Sequence, residues 1–131
     1  LYLGDRRTII NKRGGANIYP AEVEAAVTEH PDVRSCVVVG LPDDELGQRV
    51  HAILELDGST DTQAVADGMA AFLADRLSRY KHPESFEVVG AGLRDDSGKV
   101  RRTLLRDERA GWLRDHRDFR ILPFRAAAKT D

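Results

Sequence analysis

Apolar positions along this chain follow two periods, and the switches between them mark out its elements. Val33 to Val39 is rich in β-branched and apolar residues, which predicts a buried strand that Gly40 and Pro42 should stop. From Val50 the pattern alternates, with Val50, Ala52, Leu54 and Leu56 on one face of a second strand closed by Asp57-Gly58. Phe86 to Val89 is a third, shorter strand. Elsewhere the spacing is helical. Val23, Ala26 and Val27 lie at i, i+3 and i+4, so a helix should begin near Pro20 and end before Pro31. Glu22 and Glu24 complement the positive end of its dipole. Val65, Met69, Phe72, Leu73 and Leu77 predict a second helix, capped by Thr60 or Asp61 and running to about Ser78. A third should span about Thr103 to Trp112.

Shorter signals fill the gaps. Leu1 to Leu3 and Thr8 to Asn11 read as extended pieces around Asp5-Arg6-Arg7, and Gly14-Gly15 is a turn. Tyr80-Lys81-His82-Pro83 breaks the chain, and the pattern fades beyond Asp115, with residues 126–131 expected to be disordered. The order predicts an α+β fold. A small sheet of about three strands carries packed helices and is preceded by an N-terminal β-hairpin. Unrelated binding modules share that outline, so the fold alone does not name a function.

At 131 residues the chain suits one domain, and 41% hydrophobic with 32% charged residues is an ordinary balance for a protein in water. The net charge of −2 gives no reason to expect nucleic acid as a partner. The charge is uneven: residues 1–98 carry −7 and residues 99–131 carry +5. A basic end on an acidic body can steer an anion, or it can be a solvated tail. The one cysteine, Cys36, lies in an apolar run. It excludes a disulfide within the chain and points to a reducing, cytoplasmic setting, with Cys36 itself a small core residue. No apolar stretch approaches the roughly 18 residues of a membrane span. His30, His51, His82 and His116 show no metal-ligand spacing. The chain opens on Leu1 rather than Met, so further sequence is expected upstream.

The candidate chemistry lies in two segments about eighty residues apart. Lys99 follows Gly98 and Ser97, and a lysine on a glycine loop can bring a compact positive charge to a phosphate or carboxylate. The segment is not a P-loop, because Leu93 and Val100 stand where that motif needs glycine and Ser or Thr. Taken alone, Lys99 also reads as a surface lysine. Gly14-Gly15 permits close approach of backbone, or is simply a turn before a helix. Arg101 and Arg102 suit phosphates or a solvated face.

Five pieces, in this order, resemble the C-terminal domain of the adenylate-forming enzymes, above all the AMP-forming acyl-CoA synthetases. They are Asp5 to Glu24; Val38-Val39-Gly40-Leu41-Pro42-Asp43; Gly47 with Val50; Tyr80-Lys81 with Pro83; and Arg94 to Arg102. The resemblance covers residues 1–109 and leaves 110–131 as a C-terminal extension. It implies that Lys99, supported by Gly98, meets the substrate carboxylate and the α-phosphate during adenylate formation. Leu93 and Asp95 stand where the family has proline and threonine. Asp5 and Arg6 correspond to the family's hinge, with Thr8 at the pivot. The Gly14-Gly15 loop, with Asn17 beside it, corresponds to the segment that lines the pantetheine tunnel after rotation.

The resemblance therefore implies ATP, Mg²⁺ and coenzyme A as cofactors. Its implied partners are a larger N-terminal adenylate-binding domain, which binds most of the ATP, and a carboxylic acid substrate. Two alternatives accompany it: a carrier-protein thiol as acceptor, and a stand-alone α+β binding module. Asn17-Ile18-Tyr19-Pro20 favours the CoA ligases over the first.

Overall fold

The computed structural model describes residues 9–56, 61–89, 93, 102–115 and 122–123. A two-residue hairpin opens it, β1 (Ile10–Asn11) against β2 (Asn17–Ile18). Helix α1 (Pro20–Val27) follows, with Pro20 in its first turn. Strands β3 (Val33–Asp43) and β4 (Gly47–Leu56) form the long antiparallel hairpin at the centre. Helix α2 (Thr62–Leu73) crosses over to β5 (Ser85–Val89), which pairs parallel with β4. Helix α3 (Arg102–Arg114) and a short strand β6 (Leu122–Pro123) complete the order, β6 lying antiparallel to β5. The main sheet runs β3-β4-β5-β6. The α+β expectation holds: three longer strands carry helices, and a hairpin precedes them.

Side-chain alternation divides the apolar residues into two layers. Val38, Val50, Ala52, Leu54 and Phe86 face α1 and α2, meeting Val23, Val27, Met69 and Leu73. Val37, Val39, Leu41 and Ile53 face the other way and pack with Leu93, Leu105 and Leu113. Strand β3 is covered on both faces, by α1 and by α3, which is why its stretch from Cys36 to Leu41 is apolar without alternation. Cys36 is in the first layer, where burial foremost, with Glu24 adding, pushes its thiol pKa up. That fits a core residue rather than a nucleophile.

Two boundaries and one short strand differ from expectation, each for a physical reason. Gly40 and Pro42 do not stop β3, whose ladder continues to Asp43 opposite Gly47. Pro42 is tolerated because β3 is an edge strand, where a missing N–H costs little. Gly40 allows close approach, since a Cβ there would lie 3.0 Å from Ile10 Cγ1 and the Ile10 side chain would have to give way. Helix α2 ends at Leu73 rather than Ser78, because bonds from Ala74 N to Ala71 O and Arg76 N to Leu73 O tighten the chain into turns. Leu77 is buried all the same, which is why the helical spacing carried on. Strand β6 was not anticipated, since two residues display no period. Asp61 is the cap of α2, accepting from Gln63 N and Ala64 N.

Candidate functional site

The Gly14-Gly15 turn sits at the tip of the β1–β2 hairpin, and the hairpin is fastened to the main sheet residue by residue. Asn11 N donates to Gln48 Oε1 at 2.8 Å. The Lys12 ammonium pairs with the Glu84 carboxylate, both side chains largely buried. Arg13 N donates to Leu46 O at 2.7 Å, and the Arg13 guanidinium donates to Asp44 O at 3.1 Å. The turn receiving Arg13 is itself built by Asp43, whose Oδ1 accepts from Glu45 N and Leu46 N. Gly47 closes that turn with φ +83, a backbone state suited to glycine.

Beyond these attachments the tip is bare. Gly15 has φ +99, so its own backbone calls for glycine. Gly14 has no such need, and a Cβ on it would meet nothing within 4 Å. Nothing within the described domain requires glycine at position 14. Asn17 lies in β2 opposite Asn11, exposed, and continues the hairpin from the tip into α1.

Glu24 is a second centre. Its Oε2 accepts from Val38 N at 2.8 Å, satisfying an amide on the open edge of β3. Arg102, the first residue of α3, donates to both oxygens of Glu24, at 2.8 and 2.6 Å. Arg102 and Thr103 border a shallow hollow shared with Ile10 and Gln48, so the start of α3 and the base of the hairpin lie side by side. Leu93 is buried in the α3-side layer. The residues on either side of 94–101 are thus both fixed to the domain.

A third cluster lies under α3. His51 Nδ1 is 2.7 Å from Ser85 Oγ, and His51 Nε2 is 2.9 Å from Glu87 Oε1. Arg109 grips Glu87 through Nε and a terminal nitrogen, at 2.7 and 2.6 Å. Burial above all lowers the His51 pKa, so the neutral ring donates from Nε2 to Glu87 and accepts at Nδ1 from Ser85. Burial alone would raise the Glu87 carboxyl, but hydrogen bonds from His51 and Arg109 outweigh it and hold it below the usual range. His51 and Ser85 are fully buried, so the array is a structural tie and not a site open to substrate.

A family profile described as the AMP-binding enzyme C-terminal domain matches residues 22–99. The chain belongs to that family. A 2-succinylbenzoate–CoA ligase of Bacillus velezensis is 41% identical over 113 residues, 86% of this chain and 22% of that relative. A fatty acid–[acyl-carrier-protein] ligase, ScoC, of Streptomyces coeruleorubidus is 38% identical over 71% of this chain and 18% of its own length. The solved structure of a Mycobacterium tuberculosis fatty acyl CoA synthetase superposes with a TM-score of 0.70 at 34% identity. It covers 85% of this chain and 22% of that one. The chain therefore spans about a fifth of the relatives it matches. Membership sets aside the stand-alone binding module.

Of the residues singled out in this AMP-binding C-terminal domain, Gly14, Gly15 and Asn17 share the hairpin, while Arg102 stands apart on α3, bound to Glu24. Asp5, Arg6, Thr8, Gly98, Lys99 and Arg101 lie outside the described residues. Among the described residues no three His, Cys, Asp or Glu side chains converge as a metal-ligand set, and no helix is long and apolar enough to cross a membrane. Sequence reasoning missed Lys12, Gln48, Glu84 and the array around Glu87. A charge between Phe86 and Val88 in an apolar strand was the available signal for Glu87. Nothing in the local pattern pointed to Arg109 as its partner.

Proposed function

We propose that this domain is the mobile lid of an ATP-dependent carboxylic acid–CoA ligase of the cytoplasm. A larger N-terminal domain would hold the acid and Mg·ATP, as the family resemblance implies. Carboxylate attack on the α-phosphorus gives an acyl-adenylate and pyrophosphate. The thiol of coenzyme A then attacks the acyl carbon, forming the thioester and releasing AMP.

Within this scheme Lys99 serves the first step. The carboxylate and the α-phosphate are both anionic, and a fixed ammonium offsets charge that grows as they join. The Gly14-Gly15 tip serves the second step by admitting the pantetheine arm close to backbone. Asp5, Arg6 and Thr8 form the hinge between the two arrangements, and Arg101 and Arg102 are candidates for the phosphates of CoA. The observation that carries the reading is Gly14: a glycine with no backbone strain and open space around it has no internal reason to be glycine.

Lys99→Ala in the full-length enzyme tests the first role. Acid-dependent pyrophosphate release should fall by on the order of 10²–10³. Thioester formation from supplied acyl-adenylate and CoA should stay near wild type. Equal loss in both assays would rule out the assignment.

A second reading changes the acceptor to a carrier-protein thiol, and the similarity to the Streptomyces coeruleorubidus ligase favours giving it a test. Thioester formation with CoA against holo-carrier protein separates the two. Asn17-Ile18-Tyr19-Pro20 supports CoA.

A further inference from the structure

Glu84 stands where the chain enters β5, and its carboxylate does two jobs. Oε1 accepts from Val50 N at 2.7 Å, while Glu84 N donates to Val50 O at 2.8 Å, which fixes the residue to β4. Oε2 pairs with the Lys12 ammonium, two positions before Gly14. The pair is largely shielded, with side-chain exposures of 11% for Lys12 and 17% for Glu84. A pair so placed is far less screened than one in open water. It therefore restrains the lysine where a solvated ion pair would not.

The hairpin itself is short. Its ladder has only two residue pairs, Ile10 with Ile18 and Asn11 with Asn17. Two-stranded hairpins are marginal in water, so this one owes its position to what holds it from outside. Ile10 and Ile18 are buried and anchor the base. Arg13 is held through its own amide and an exposed guanidinium contact. Lys12–Glu84 is the attachment that carries opposite charges out of solvent, next to the turn. Sequence separation from Lys12 to Glu84 is 72 residues, so no local preference explains the pairing.

We infer that Lys12 and Glu84 are positioning residues for the thioester-forming step, holding the bare Gly14-Gly15 tip at the height and angle at which it meets the acceptor's pantetheine arm. This rests on the reading of the tip given above. Neither residue touches the reacting atoms. Their effect passes through the hairpin, and a misplacement of about 1 Å can cost on the order of 10²-fold in rate. Glu84 is well suited to a clean test, because Glu84→Gln keeps an oxygen acceptor for Val50 N while removing the charge that faces Lys12.

The test uses the full-length enzyme. A panel of dodecanoate, hexanoate and 2-succinylbenzoate first finds an acid that gives acid-dependent pyrophosphate release. The adenylate of that acid is then supplied with CoA, and thioester is measured. Glu84→Gln and Lys12→Met should each lower thioester formation about tenfold or more and leave pyrophosphate release within about twofold of wild type. The loss should appear at saturating CoA, in kcat, with the KM for CoA changed less. Lys12→Arg, which keeps a positive charge facing Glu84, should retain most of the rate. Thermal melting checks that each variant is folded. If Glu84→Gln unfolds, Lys12→Met and Lys12→Arg carry the comparison. Wild-type thioester rates in folded Glu84→Gln or Lys12→Met, equal loss in both half-reactions, or a loss in Lys12→Arg as large as in Lys12→Met would overturn the inference. Absence of pyrophosphate release from the wild type with every acid would instead overturn the proposed function beneath it.

Discussion

Gly14 and Gly15 are neighbours with different reasons for being glycine, and substitutions separate them. Gly15 holds φ +99, where an L-residue is strained. Gly15→Ala should lower stability by about 1–2 kcal/mol, read as a lower melting temperature. Gly14 has no such strain, and a methyl added to it would find no atom of the described residues within 4 Å. Gly14→Ala should therefore leave stability within about 0.5 kcal/mol, or raise it slightly by restricting the unfolded chain. On the proposed function it should nonetheless reduce thioester formation from supplied adenylate in the full-length enzyme by about tenfold, since the methyl would then stand in the path of the pantetheine arm. An unchanged rate would remove the tip from the thioester step. At this scale the sequence was half informative. Gly14-Gly15 was visible as a turn, but only φ and the space around each residue tell the two glycines apart.

Among elements, α3 shows most clearly what a linear reading can and cannot supply. Its existence and approximate limits followed from position and spacing, and its apolar residues Leu105 and Leu113 do pack against the sheet. Its polar attachments were not legible. Arg102 reaches Glu24 across 78 residues and Arg109 reaches Glu87 across 22, and pairing over such separations leaves no trace in a local period. The same limit hid Pro42 inside β3, because a proline is permitted only once its strand is known to be an edge.

The His51–Glu87–Arg109 tie also makes the attachment of α3 sensitive to acid. His51 titrates near 6.5 when unfolded and lower in the fold, and Glu87 near 4.5 when unfolded and lower in the fold. In both cases the unfolded chain binds more protons, so stability rises with pH through each window and is lost on acidification. Stability should be level above about pH 7 with respect to these groups. It should decline by up to about 1.4 kcal/mol per pH unit below 6.5 as the unfolded His51 takes up a proton. The decline should steepen below 4.5 as Glu87 joins. His51→Gln, which does not titrate, should flatten the upper part of the decline in a series of thermal melts and leave the lower part. A stability maximum near pH 5 in the wild type would contradict this account.

At the scale of the molecule, the sheet is covered on both faces and serves as one support for both candidate segments. The hairpin is bound to β4 and to Glu84. On either side of residues 94–101, Leu93 is buried in the sheet's second layer and Arg102 is pinned to Glu24. Both attachments are to the same rigid body, and close packing resists internal deformation. On the proposed function, presenting one segment to the reaction centre and withdrawing the other therefore requires moving the whole domain, which places the motion at the Asp5–Thr8 hinge rather than within the fold. The same separation of roles bears on the domain by itself. Its two apolar layers form a core of its own, so the 131-residue chain should unfold in a cooperative thermal transition. On the proposed function it supplies charge and a backbone surface to a reaction whose acid and Mg·ATP are held by a larger N-terminal domain. Incubated with ATP, Mg²⁺ and the acid panel, the folded chain should release no acid-dependent pyrophosphate, while the full-length enzyme does. Release by the isolated chain would mean that a complete adenylation centre lies within it, and the proposed lid function would have to be abandoned.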